Sequence, residues 1–121
     1  MFEIILYEDI NGHSELNETL MDLATKSKTN KDIRIQFKQI TLYIELLKHN
    51  GLKLPTNITK HIKDDIWELR PGKNRILYFY FKDNKFVLLH MFRKETNKTP
   101  KQEIKRALKE CADYKERNEG I

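Results

Sequence analysis

Two hydrophobic periods run along this chain, and the switch between them marks its architecture. Phe2 to Tyr7 is a short apolar run of strand length. Leu16, Leu20 and Leu23 then fall on one face of a helix that Ser14 can cap. Residues 26–30 are polar and interrupt the pattern. From Asn30 a second helix carries Ile33, Phe37, Ile40, Ile44 and Leu47, spaced 4, 3, 4 and 3, in a single stripe. Gly51 closes it and Pro55 prevents its resumption. The two helices predict an αα-hairpin whose stripe covers a sheet.

The period then changes to two. Ile66 to Arg70, Asn74 to Phe81 and Phe86 to Arg93 are rich in aromatic and branched residues, with Pro71-Gly72 and Asp83-Asn84 as turns between them. Thr99, Pro100 and Gln102 have the form of a capping box with proline at the first helical position. The helix that follows buries Ile104, Ala107, Leu108 and Cys111. The order β-α-α-β-β-β-α predicts an α+β fold. Its N-terminal strand and αα-hairpin pack on a mainly antiparallel four-stranded sheet, with a C-terminal helix, in one domain over residues 1–121.

Composition narrows the function classes. With 39% hydrophobic residues the chain can build a core. Its longest apolar stretch, Ile76 to Phe81, is too short for a membrane span or a secretory core, so a cytoplasmic location is expected. One cysteine excludes an internal disulfide framework, and Cys111 lies on an apolar stripe as a packing residue. His13, His49, His61 and His90 lack metal-ligand spacing, so neither metal nor cofactor is expected. No P-loop, dinucleotide glycine motif, G-x-S-x-G or H-E-x-x-H occurs. The net charge is +5, and residues 93–109 alone hold seven cations against Glu95 and Glu103. Such a concentration points to a polyanionic partner.

The turns also predict which residues share a sheet face. A two-residue turn at Asp83-Asn84 pairs Phe81 with Phe86, Phe79 with Leu88, Leu77 with His90 and Arg75 with Phe92. A four-residue loop over 71–74 pairs Arg70 with Arg75 and Glu68 with Leu77. One face is then almost wholly apolar, with Trp67, Leu69, Ile76, Tyr78, Tyr80, Val87, Leu89 and Met91, and faces the hairpin. The other carries Glu68, Arg70, Arg75 and His90 beside Leu77, Phe79, Leu88 and Phe92. Opposed arginines need an anion between them. Either Glu68 fills that role in a surface network, or the pair binds phosphate through planar guanidinium forks. Arg93, Lys94 and Lys98 add cations at the same end, and Phe92 offers a surface on which a base can stack. His90 reads either as a packed residue or as an RNA contact.

The ordered set Trp67-Glu68-Leu69-Arg70, Asn74-Arg75-Ile76-Leu77-Tyr78, Leu88 to Lys94, Lys98-Thr99-Pro100 and Glu103-Ile104 with Ala107 resembles the phage-derived Gp49-like branch of HigB toxins, within the RelE/ParE superfamily. The resemblance implies a small RelE-like α+β toxin that cleaves mRNA, commonly in the ribosomal A site, and is neutralised by a helix-turn-helix antitoxin of the HigA kind. In RelE-like relatives a strand arginine supports phosphate and transition-state charge, and it matches Arg75. The basic residues that end the last strand match Arg93 and Lys94, while Arg70 and Lys98 belong to the Gp49-like motif itself. The tyrosine or histidine that relatives place near the start of the final helix is absent, since that region reads Lys98-Thr99-Pro100.

The expected activity is a metal-independent endoribonuclease that inhibits translation. The ribose 2′-hydroxyl of the substrate attacks the adjacent phosphorus. Arg75, Arg70, Lys94 and Glu68 are the catalytic candidates, with Glu68 a possible base and Lys94 or Lys98 a possible acid. Arg93, Lys98, Phe92 and His90 are the RNA-binding candidates. The alternatives are a ParE-like toxin that acts on DNA gyrase without cutting RNA, and a degenerate phage protein that only binds nucleic acid.

Overall fold

In the computed structural model, which describes residues 1–119, strand β1 (Glu3–Leu6) leads into helices α1 (Glu15–Lys26) and α2 (Lys31–Asn50). Strands β2 (Thr59–Lys63), β3 (Ile66–Leu69), β4 (Asn74–Phe81) and β5 (Lys85–Arg93) follow, and then helix α3 (Lys101–Glu119). The sheet order is β1-β5-β4-β3-β2, with β1 parallel to β5 and every other pair antiparallel. The fold class is the one expected, but the sheet has five strands rather than four. The additional strand, β2, forms the edge of the sheet.

Both hairpin helices start where the sequence predicts, and each has a side-chain cap. Ser14 Oγ accepts from Asn17 N at 3.1 Å, and Asn30 Oδ1 accepts from Ile33 N at 3.1 Å. The α2 stripe buries Ile40 and Leu47 completely against Leu69, Ile76, Tyr78, Phe86 and Leu88. Each such side chain contributes about 1.5–3 kcal/mol. Gly51 ends α2 at φ 60°, and a Cβ there would stand 2.7 Å from the Phe2 ring. A substitution at Gly51 therefore breaks both the turn and the seat of β1.

Helix α3 covers the opposite face of the sheet. Ala107 and Cys111 are buried there with Ile66, Leu77, Phe79, Phe81, Val87 and Leu89. Cys111 is a packing residue, as expected, and burial pushes its thiol pKa up. The helix does not use the anticipated capping box. Ile104 N donates to Pro100 O, which makes Pro100 the cap residue, and the Thr99 hydroxyl instead donates to Glu68 Oε2 at 2.6 Å.

The β4–β5 register departs from expectation at its turn end. Phe81 pairs with Lys85 and Tyr80 with Phe86, so three residues form the loop, and Asp83 and Asn84 both take positive φ. The register then shifts opposite Leu77 and Tyr78, with Leu89 as the extra residue of a bulge. Beyond it Leu77 pairs with His90 and Arg75 with Phe92, as predicted. Between loop and bulge the faces are exchanged. Val87 and Leu89 pack under α3 rather than the hairpin, and Leu88 packs under the hairpin. Without the bulge, His90 would point at the hairpin.

Candidate functional site

Edge strand β2, strand β3 and the loop before α3 enclose a cleft of about 230 Å³. Lys60, His61 and Ile62 of β2 form one wall and Glu68 and Arg70 of β3 the floor. Asn97, Lys98, Thr99 and the Ile104 side chain close the other side. Lys60, His61 and Lys98 are exposed, whereas Glu68 is buried.

Glu68 is the hub of the floor. Its Oε1 lies 3.5 Å from Arg70 Nε and 3.7 Å from Arg75 Nε, and its Oε2 takes the Thr99 hydrogen bond. Both carboxylate oxygens are thereby engaged at 4% side-chain exposure. Such a carboxylate is a fixed part of the floor rather than a free side chain.

The two arginines behave differently. Arg75 is buried, and its Nη1 donates to Gly72 O at 2.6 Å and Asn74 O at 2.8 Å, which ties it to the β3–β4 turn. Burial lowers its pKa, Glu68 opposes that effect and Arg70 adds to it. Arginine remains protonated regardless. Arg70 is partly exposed in the cleft, with Nη1 donating to Thr56 O at 3.1 Å. Its Nε is buried and makes no hydrogen bond, although it stands close to Glu68. A partly exposed guanidinium at an open cleft is suited to an anion.

The remaining sequence-predicted residues lie apart from the cleft. Arg93 donates to Gln36 Oε1 on α2 at 3.1 Å, on the hairpin side. Lys94 is half-buried, and its backbone N–H closes onto Lys73 O. Phe92 is half-buried in the α3-side cluster. His90 is completely buried between Glu110, on its Nδ1 side at 2.5 Å, and Glu103, on its Nε2 side at 3.2 Å. Of the eight residues singled out in the sequence, the cleft brings together Glu68, Arg70 and Lys98, with Arg75 directly beneath.

Sequence reasoning missed Lys60 and His61, because strand β2 was missed. The available signal was the Asp64-Asp65 turn, which connects Thr59–Lys63 to Ile66 in register. A second groove of about 550 Å³, lined by Lys63, Lys101, Lys105, Ile104 and Leu108, adjoins the cleft through Ile104. The cationic surface therefore continues along the seam between β2 and α3. Among the described residues no group of three or more His, Cys, Asp or Glu side chains is placed to hold a metal ion. No described helix is long and apolar enough to cross a membrane.

Residues 20–112 match the family model described as phage-derived protein Gp49-like. The chain belongs to the Gp49-like family. That match spans β3, β4, β5 and most of α3, and so includes every wall of the cleft. No curated protein matches the chain. The fold of this Gp49-like protein is similar to that of a chain in the archaeal RelE–RelB complex from Pyrococcus horikoshii OT3. The TM-score is 0.55 at 12% identity, covering 78% of this chain and 96% of that one. It is also similar to a chain in the YoeB–YefM complex from Staphylococcus aureus, with a TM-score of 0.50 at 15% identity, covering 79% of this chain and 99% of that one. Both are toxin–antitoxin complexes, and the Gp49-like chain has the RelE-like α+β fold.

Proposed function

We propose that this Gp49-like protein is the toxin of a type II toxin–antitoxin pair and a metal-independent endoribonuclease of mRNA, acting at the ribosome in the cytoplasm. One observation carries the reading. The partly exposed Arg70 lines an open cleft with Lys60 and Lys98, while the acid in that cleft, Glu68, already accepts from Thr99 and stands beside both arginines. The cleft therefore holds uncompensated positive charge where a phosphodiester can enter. Attack by the ribose 2′-hydroxyl builds negative charge on the phosphoryl oxygens, and fixed cations stabilise it without reorganising.

Within this reading Arg70 contacts the scissile phosphate, and Lys98 protonates the leaving 5′-oxygen. Glu68 and Arg75 are positioning residues, since they hold the Arg70 guanidinium and the turn behind it. Arg93 and Lys94 serve phosphates outside the cleft, and the same cationic surface is where a helix-turn-helix antitoxin would place acidic side chains. The purified protein should cleave RNA in excess EDTA and leave 2′,3′-cyclic phosphate and 5′-hydroxyl ends. Activity that vanishes on chelation and returns with Mg²⁺ contradicts the mechanism. Growth arrest without any RNA cleavage would favour gyrase binding instead.

A further inference from the structure

We propose that the groove between edge strand β2 and helix α3 seats an acidic, extended segment of a protein partner, which adds to the sheet as a strand beside β2. The inference rests on the toxin–antitoxin reading above in taking that segment to be the antitoxin's. The groove has a volume of about 550 Å³ and is lined by Lys63, Lys101, Ile104, Lys105 and Leu108.

Two elements build it. Strand β2 ends the sheet, and no strand pairs with its outer side. In the β2–β3 ladder Lys60 stands opposite Glu68 and Lys63 opposite Ile66. Glu68 accepts from Thr99 just before α3, and Ile66 packs in the cluster beneath α3. Lys60 and Lys63, as their ladder partners, therefore point to the α3 side. On α3 the buried Ala107 and Cys111 face the sheet. Lys101, Ile104, Lys105 and Leu108 form an adjoining face at i, i+3, i+4 and i+7, and they line the groove together with Lys63. Ile104 and Leu108 are half-buried and make an aliphatic floor, and the three lysines are exposed at its rim.

The chemistry of the groove selects its occupant. The lysines that form ion pairs are Lys26, Lys85 and Lys115, the last with Asp65 in the β2–β3 turn at 2.5 Å. Among the described residues, Lys63, Lys101 and Lys105 thus have no acidic partner. An aliphatic floor inside a cationic rim is complementary to a segment that places an apolar side chain between acidic ones. The groove offers no aromatic ring on which a nucleobase could stack, so it suits RNA less well. A free sheet edge supplies main-chain hydrogen bonds to an extended chain, and the groove reads its alternate side chains. A second copy of this protein is disfavoured, because the lysines of two such edges would repel and the bulge between His61 and Lys63 disturbs regular pairing. Groove and cleft share Ile104, so a segment seated there holds its partner at the mouth of the cleft.

The test titrates the isotope-labelled protein with the synthetic peptide Thr-Glu-Thr-Val-Thr-Glu-Thr and with its counterpart carrying lysine for both glutamates, following amide shifts and hydrogen exchange by NMR. The acidic peptide should bind saturably and slow exchange in Thr59–Lys63, and the lysine counterpart should not bind. Lys63→Glu combined with Lys105→Glu should weaken binding about tenfold, because two exposed ion pairs become two repulsions. Lys26→Glu combined with Lys31→Glu, on the helical hairpin, should leave it unchanged. The proposal is overturned if the acidic peptide does not bind, if it binds the Lys63 and Lys105 double variant equally well, or if exchange in β2 is unaffected. An oligouridylate that binds the groove where the peptide does not would assign the seam to RNA instead. RNA cleavage is measured separately on the unaltered protein. Its absence would overturn the endoribonuclease reading and leave a positive peptide result standing.

Discussion

Two clusters of ionisable groups lie on the α3 side of the sheet, and they balance acids against bases in opposite ways. In one, Glu68 faces Arg70 and Arg75, with Lys98 and Lys60 beyond, so cations outnumber acids and the cluster opens into a cleft. In the other, His90 sits between Glu103 and Glu110, and Arg106 bridges Glu110 at 3.4 Å and Glu15 at 2.9 Å. There the acids are in surplus, and α3 is sealed onto β5 and α1. The arginines record the difference. Burial and Arg70 push the Arg75 guanidinium down despite Glu68, whereas burial of Arg106 is outweighed by Glu15 and Glu110, which push it up. A network that closes over a buried histidine with side chains of a packed helix holds structure together. One left short of negative charge is prepared to receive it from a ligand.

The largest effect should come from removing the acid of the open cluster. Glu68→Ala leaves the buried Arg75 without its counter-charge, and loss of one member of a buried pair costs about 3–5 kcal/mol. Urea unfolding should show that loss, and an unchanged midpoint would mean that Glu68 holds nothing. A smaller effect should locate the RNA path. Lys60→Ala and Lys98→Ala should each flatten the plot of log K against log salt by about 0.7, the value for one phosphate contact with single-stranded RNA. Lys31→Ala and Lys26→Ala lie on the helical hairpin, where Lys26 already pairs with Asp22 at 2.9 Å, and should leave the slope unchanged. Equal flattening by all four would spread binding over the whole surface and erase the distinction between the clusters.

How far the sequence could be read depended on whether each signal was local. The α2 stripe, the Pro71-Gly72 turn and the alternation of Asn74 to Phe81 are short-range patterns, and they yielded the hairpin, the β3–β4 pairing and the positions of Glu68 and Arg70. Strand β2 was missed because Thr-Lys-His-Ile-Lys contains one apolar residue, as befits an exposed edge. Lys60 and His61 were lost with it. The Leu89 bulge is equally invisible, because an extra residue in a strand changes the face of its neighbours without changing composition. Thr99 had the form of a cap, yet a partner 31 positions away, Glu68, took its hydroxyl. His90 looked like a polar residue on a mixed face. Only the placement of Glu103 and Glu110 on α3 reveals that it is a buried member of the seal.

The contrast between the clusters is tested most directly by measuring single-turnover cleavage and unfolding free energy in parallel for Arg70→Ala and His90→Ala, with each cleavage assay run where circular dichroism shows the variant folded. Arg70→Ala should lose about 10²–10³ in rate, the effect of removing one preorganised charge from a transition state. His90→Ala, which removes the buried partner shared by half-buried Glu103 and Glu110, should lose about 1–3 kcal/mol of stability and cleave at the unaltered rate. Arg70→Ala cleaving as fast as the unaltered protein, or the folded His90→Ala losing rate as steeply as Arg70→Ala, would contradict the division into an open site and a sealed one.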